Sequence, residues 1–140
     1  TIRNLDKDIR TQVLAKIKQT AEGIAATQGA TAEVSFENKT LVTYNTPELV
    51  DRMLPSLQKA AGKDHVRVMN WVTGAEDFSF YGEKVPAFFF YFGGMPIGND
   101  PAKAPPHHTP DFFIDDSQLH VGIKAFCQLV FDYAATAKTR

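Results

Sequence analysis

The sequence predicts an α/β chain, and three observations carry that prediction. The first 37 residues read strand–helix–strand. Residues 86–92 (Pro86-Ala87-Phe88-Phe89-Phe90-Tyr91-Phe92) are a strand-length run apolar on both faces, the pattern of an interior strand in a covered sheet. Two further segments place apolar residues at helical spacing between caps and breakers.

Residues 1–5 are expected to form a short strand. Asp6 suits a helix N-cap, because its carboxylate can accept from the free amides of the next turn. Ile9, Val13, Ile17, Ala21 and Ile24 then line one helical face, with Lys7, Arg10, Lys16 and Lys18 for the wet side, and Gly29 can end the helix in the left-handed conformation. Residues 31–36 alternate as Thr31, Ala32, Glu33, Val34, Ser35 and Phe36, which predicts a half-buried strand. Asn38 to Asn45 reads as a crossing segment, and its Asn38-Lys39-Thr40 triplet matches a glycosylation acceptor that arises readily by chance. Thr46-Pro47-Glu48 starts a second helix whose buried face is Leu49, Val50, Met53, Leu57, Ala60 and Ala61; Pro55 should kink it and Gly62 should close it. Val66 to Met69 is a short predicted strand, 74–84 a loop, and 93–111 a long segment broken by glycine and proline. Asp115, Asp116 and Ser117 can cap a last helix with Leu119, Ile123, Phe126, Cys127, Val130, Phe131 and Ala134 as its apolar face.

The chain has 140 residues, 15 Lys plus Arg and 16 Asp plus Glu, hence a net charge of −1. That balance argues against a basic nucleic-acid binder and a polybasic membrane surface. No apolar run approaches the roughly 18 residues of a membrane-spanning helix. The one cysteine, Cys127, can form neither an internal disulfide nor a Cys-based zinc site alone. There is no signal peptide, and Thr1-Ile2-Arg3 reads like the inside of a strand, so the chain is expected to begin mid-protein; scarce cysteine favours the cytoplasm.

Four places carry candidate chemistry. His107 and His108 lie in a proline-walled loop ahead of Asp111, Asp115 and Asp116; neutral imidazole is a good ligand for Zn, Mn or Co, and a carboxylate could orient the ring. Taken alone, such a pair reads as surface decoration. Gly74-Ala75-Glu76-Asp77 can expose backbone amides to an anion, with Glu76 and Asp77 as acid, base or ligand, or it can be a turn with solvated acids. Arg3 can grip a carboxylate bidentately or form a rim salt bridge. Cys127 reads as core filler, and His65 and His120 as structural or exposed. No phosphate loop, nucleophile elbow or dinucleotide fingerprint is present.

The order of motifs is more specific than any one of them. Thr1-Ile2-Arg3-Asn4 leads a helix, then come Gly74-Ala75-Glu76-Asp77-Phe78, the Phe-rich run, and His108-Thr109-Pro110-Asp111 with Asp115-Asp116 before the last helix. This closely resembles the C-terminal part of the metal-dependent amidohydrolases of the aminoacylase, hippurate hydrolase and indole-acetyl-amino-acid hydrolase group. Asn4 stands where that family usually has Thr, and Ala75 where Ser or Gly is common. The resemblance implies two parts: residues 1–42 as the second half of an α/β-sandwich lid and dimerisation domain, and 43–140 as the C-terminal portion of an α/β zinc-peptidase-like catalytic domain.

It further implies that His108 is the last metal ligand, with His107 its neighbour. Arg3 would reach the substrate carboxylate, and Gly74, Ala75 and Glu76 would line the substrate site. No residue of this sequence matches a catalytic base. The family's remaining ligands, a Cys or His and a His in one motif, a Glu pair and a further His, have no counterpart here and are expected upstream. The intact enzyme would carry two divalent metals (Zn, Mn, Co or Ni). It would hydrolyse N-acyl amino acids with a metal-bridging water and dimerise through its lid, with the rest of the polypeptide as this segment's partner. The 140 residues alone are expected to be inactive and to bind metal weakly. Two rivals are a non-catalytic α/β interaction module and a small enzyme with a mononuclear site on His107, His108 and Asp111.

Overall fold

The computed structural model describes residues 1–137, and helices are its regular elements: α1 (Lys7–Thr27), α2 (Pro47–Ala61), the short α3 (Ser79–Gly82) and α4 (Leu119–Ala137). Three 3₁₀ turns lie at Lys63–His65, Pro101–Lys103 and Asp116–Gln118. Among the described residues there is no β-strand, which corrects the α/β expectation. Residues 1–5, 31–36, 66–69 and 86–92, all expected as strands, have no ladder. The reason is that a strand's amides and carbonyls are closed only by a neighbour about 4.8 Å away, whereas a helix closes its own. Alternation survives without the ladder: Ala32 and Val34 are half-buried while Thr31, Glu33 and Ser35 are exposed.

The helix ends follow their local chemistry. The Asp6 carboxylate accepts from the amides of Asp8 (2.8 Å) and Ile9 (2.9 Å). At the other end of α1, Gly29 takes φ +68° while Gly29 N donates to Ala26 O and Ala30 N to Ala25 O, the paired bonds of a Schellman cap. Helix α2 begins at Pro47 and runs unbroken through Pro55 to Gly62, whose φ is +91°. Asp115 accepts from Ser117 N (2.9 Å) ahead of α4, which holds the Asp115 carboxyl below the usual carboxylate range.

The chain forms two compact units. The first joins Thr1–Asn45 to Met69–Phe89. Its interior contains Ser79 and Ala87, at 2% and 4% exposure. Ser79 Oγ accepts from Leu41 N (3.1 Å), and the Phe78 ring lies 5.3 Å from that of Phe89. Asn45 uses both ends of its carboxamide on one residue, donating to Phe89 O (2.8 Å) and accepting from Phe89 N (2.6 Å).

The second unit joins Thr46–Val68 to the chain from Phe90 onward and is built on α2 packed against α4. Met53, Leu57 and Ala60, expected on the buried face of α2, are buried. On α4 the expectation fails: Ala125 is buried at 4%, while Ile123, Phe126, Val130 and Phe131 stay 63–72% exposed and Cys127 is exposed rather than core filler. Small side chains let two helices approach, and a polar group fixes their register. Ser56, itself buried, donates to Asp132 (2.8 Å), and Gln128 donates to its other oxygen (2.8 Å). Arg52 donates to Thr136 Oγ1 (2.8 Å) and Tyr133 O (3.1 Å) with its guanidinium over the Tyr133 ring.

The accessible surface is 11489 Å². Two separate compact bodies of about 7 and 8 kDa would together expose only about 8,700 Å². Among the exposed large hydrophobic residues are Trp71 at 90% and Val68 at 95%.

The hydrogen bonds from Ser56 and then Gln128 hold the Asp132 carboxyl below the usual carboxylate range, with a smaller pull from Lys59. A group depressed on folding stabilises above its unfolded value and loses that contribution as pH falls through its folded one. The denaturation midpoint of wild-type protein should therefore exceed that of Asp132→Asn at pH 7, and the two should converge below about pH 4. Urea unfolding of both proteins across that range checks it.

Candidate functional site

The candidate residues fall in both units: Arg3, Gly74, Ala75 and Glu76 in the first, His108 in the second. Within the first unit the fold brings Arg3 to the loop it was expected to serve. Its Nη1 donates to the carbonyl of Thr73 at 2.6 Å, the residue directly before Gly74. Gly74 and Ala75 are exposed and Glu76 is half-buried. The loop then winds into α3: Ser79 N donates to Glu76 O (3.1 Å), Phe80 N to Asp77 O (3.1 Å) and Tyr81 N to Phe78 O (3.0 Å). Burial of Ser79 seats that end of the loop, while its start is held through Thr73.

The histidine loop of the second unit is closed at its base. Asp115 N donates to Gly94 O at 2.7 Å, so residues 94 and 115 meet and close the segment between them into a loop. A β-carbon at Gly94 would stand 2.8 Å from Cγ2 and 2.9 Å from Cβ of Ile114, so only glycine permits this approach. Inside the loop Asp100 caps the Pro101–Lys103 turn through Ala102 N (3.0 Å), and Thr109 Oγ1 donates to Pro106 O (2.8 Å).

The two histidines are treated differently. The His107 ring packs against Phe112, centroids 4.9 Å apart and planes tilted by 60°. His108 is exposed and takes φ +63°, the one positive φ of a non-glycine residue among the described residues. That left-handed conformation is uncommon outside glycine, and such strain concentrates at functional positions. Asp115, offered by the sequence as a partner for the imidazole, spends its carboxylate on Ser117 N.

A metal centre needs several donors converging on one point. Among the described residues no group of three or more His, Cys, Asp or Glu side chains could hold an ion. His108 is a chemically suitable ligand, but these residues do not by themselves fit a metal, and no catalytic step follows from one here.

Residues 5–132 match peptidase family M20/M25/M40. The chain belongs to that family. It is 30% identical over 135 residues to thermostable carboxypeptidase 2 of Saccharolobus solfataricus, covering 96% of this chain and 33% of that protein. It is 30% identical over 119 residues to an uncharacterized hydrolase of Sinorhizobium fredii (85% and 29%). It is 33% identical over 99 residues to an IAA-amino acid hydrolase of Arabidopsis thaliana (67% and 21%). The M20-type chain thus spans a third or less of the length of these relatives. No solved structure matches it.

Two contributors escaped the sequence reading. Gly94 had a signal, the Gly93-Gly94 pair before the loop, but its partner Ile114 lies 20 residues on. Asn45 had none, because its role depends on where Phe89 returns. In this M20 chain Gly94→Ala should lower stability by about 1–3 kcal/mol through overpacking against a stiff β-branched side chain. Gly23→Ala, in α1 with nothing within 4 Å of the added carbon, should raise it by about 0.5–1 kcal/mol. Denaturant midpoints of the two variants check the opposite signs.

Proposed function

We propose that this chain is the C-terminal part of a metal-dependent amidohydrolase that cleaves the amide bond of N-acyl amino acids, the bond next to a free carboxylate. The carrying observation is the family match over residues 5–132, which spans the Arg3-flanking helix, the 74–78 motif and the 108–111 motif in order. The names of the relatives support the substrate class, since an IAA-amino acid hydrolase and a carboxypeptidase both act on amides of amino acids. In this reading residues 1–42 belong to a lid and 43–140 to a catalytic domain. Arg3 binds the substrate carboxylate, and Gly74, Ala75 and Glu76 line the substrate. His108 gives one ligand to a two-metal centre completed by the remainder of the polypeptide.

The metals (Zn, Mn, Co or Ni) would supply carbonyl polarisation and an acidified water. This chain's own residues bind and orient. The apolar strip of α1 (half-buried Val13 and Ala21 with exposed Ile17 and Ile24) is the surface we assign to homodimerisation. A cytoplasmic location belongs to the same reading.

In the full-length protein His108→Ala should cut hydrolysis of an N-acyl amino acid more than about 100-fold and lower bound metal, while His107→Ala should not. Steady-state rates with metal analysis decide it, and near-normal turnover by His108→Ala would refute the ligand assignment. The 140 residues alone should show no hydrolysis; stoichiometric zinc or manganese binding at about micromolar affinity or better would count against the shared-site reading.

A further inference from the structure

We infer that Arg3 is a positioning residue for the 74–76 loop, holding it through the Thr73 carbonyl, and that the Lys7–Glu83 ion pair holds the far side of the same segment. The inference rests on reading 74–76 as the substrate loop, and it adds a duty that a carboxylate-binding arginine does not imply.

Two cations on one short segment reach both ends of another. Arg3 Nη1 bonds Thr73 O at 2.6 Å, across 70 residues of sequence. Lys7 Nζ bonds Glu83 Oε1 at 2.5 Å, across 76. Thr73 immediately precedes the loop, and Glu83 is the C-cap of α3, which ends it. The backbone between the two cations is itself fixed: Asp6 N donates to Asn4 Oδ1 (2.7 Å), and the Asp6 carboxylate caps α1. Arg3 stands four residues before Lys7, in the extended segment that Asn4 and Asp6 tie to the start of helix α1.

The loop between their contacts cannot fix itself. Gly74 and Ala75 are exposed and make no hydrogen bond among the described residues, so the direction of their backbone groups is inherited from the ends. One end is Ser79, buried and bonded to Leu41 N; the other is Thr73 under the guanidinium. An exposed ion pair adds little to global stability. What these two ties set is geometry, where a displacement of about 1 Å can cost 100-fold in rate. The guanidinium has five donors in a rigid fork. With Nη1 committed to Thr73 O, its remaining N–H groups are held in one orientation, so substrate carboxylate and loop backbone are registered by the same side chain.

The test uses the full-length protein and two readouts. Hydrogen exchange followed by mass spectrometry should show the hydrogen-bonded amides of Ser79, Phe80 and Tyr81 exchanging about tenfold faster in Arg3→Ala than in wild type, since opening the loop is a local event. Arg3→Lys, which can still reach one carbonyl, should restore most of the protection, and Glu83→Gln should loosen the α3 end. Lys18→Ala, which breaks an exposed pair within α1, should change nothing. The second readout compares an N-acyl amino acid with its carboxamide, which offers no carboxylate to grip. Arg3→Ala should lower kcat for the carboxamide about tenfold. Unchanged exchange at 79–81 would overturn the positioning role, whatever the activity. Unchanged carboxamide turnover with loss of the acid substrate would also overturn it, assigning Arg3 to the carboxylate alone and leaving the proposed function standing. Absence of hydrolysis in the wild type would instead overturn the proposed function, and exchange would then decide the role of Arg3.

Discussion

The arrangement of this chain depends on where backbone hydrogen bonds are closed. A helix closes them within four residues, so α1, α2 and α4 form wherever apolar spacing and caps agree. An extended segment must borrow its partners, and here side chains lend some of them. The Asn45 carboxamide gives Phe89 the donor and acceptor that an opposing strand residue would give, and Ser79 Oγ does half as much for Leu41. Both candidate segments follow the same logic. The 74–76 loop is held by a guanidinium on a carbonyl, and the histidine loop by one amide–carbonyl bond at its neck.

That constraint also separates what the sequence made legible from what it did not. Asp6, Gly29, Thr46-Pro47, Gly62 and Asp115 mark helix ends by local chemistry, and those ends stand where they were expected. The face of α2 was readable because Met53, Leu57 and Ala60 are buried in a helix that packs against α4. The face of α4 was misread because apolar periodicity names a side that is to be covered, not the element that covers it. Asp132 meets α2 through Ser56 and Ala125 is buried, while Val130 and Phe131 stay exposed and Phe126, itself mostly exposed, lies against the Phe90 ring. Strands were misread for a related reason: alternation at 31–36 is a property of side chains, and a ladder is a property of two segments.

For the site, the sequence yielded residue types and order, and the fold added specific contacts. Arg3 beside Thr73, the packed His107 ring and the left-handed His108 backbone could not be derived from spacing. Family membership then makes sense of a donor set that is chemically apt but numerically small. A single imidazole and a single guanidinium are useful only where other groups converge on the same substrate.

The bond between Gly94 and Asp115 has one more consequence. Because the neck is fastened independently of what it encloses, the length and composition of the enclosed stretch are thermodynamically cheap to alter: doubling such a stretch adds only about 0.6 kcal/mol of closure entropy. Evolution can therefore remodel the stretch around His108, through its prolines and its Asp100 turn, while the bond at the neck stays in place.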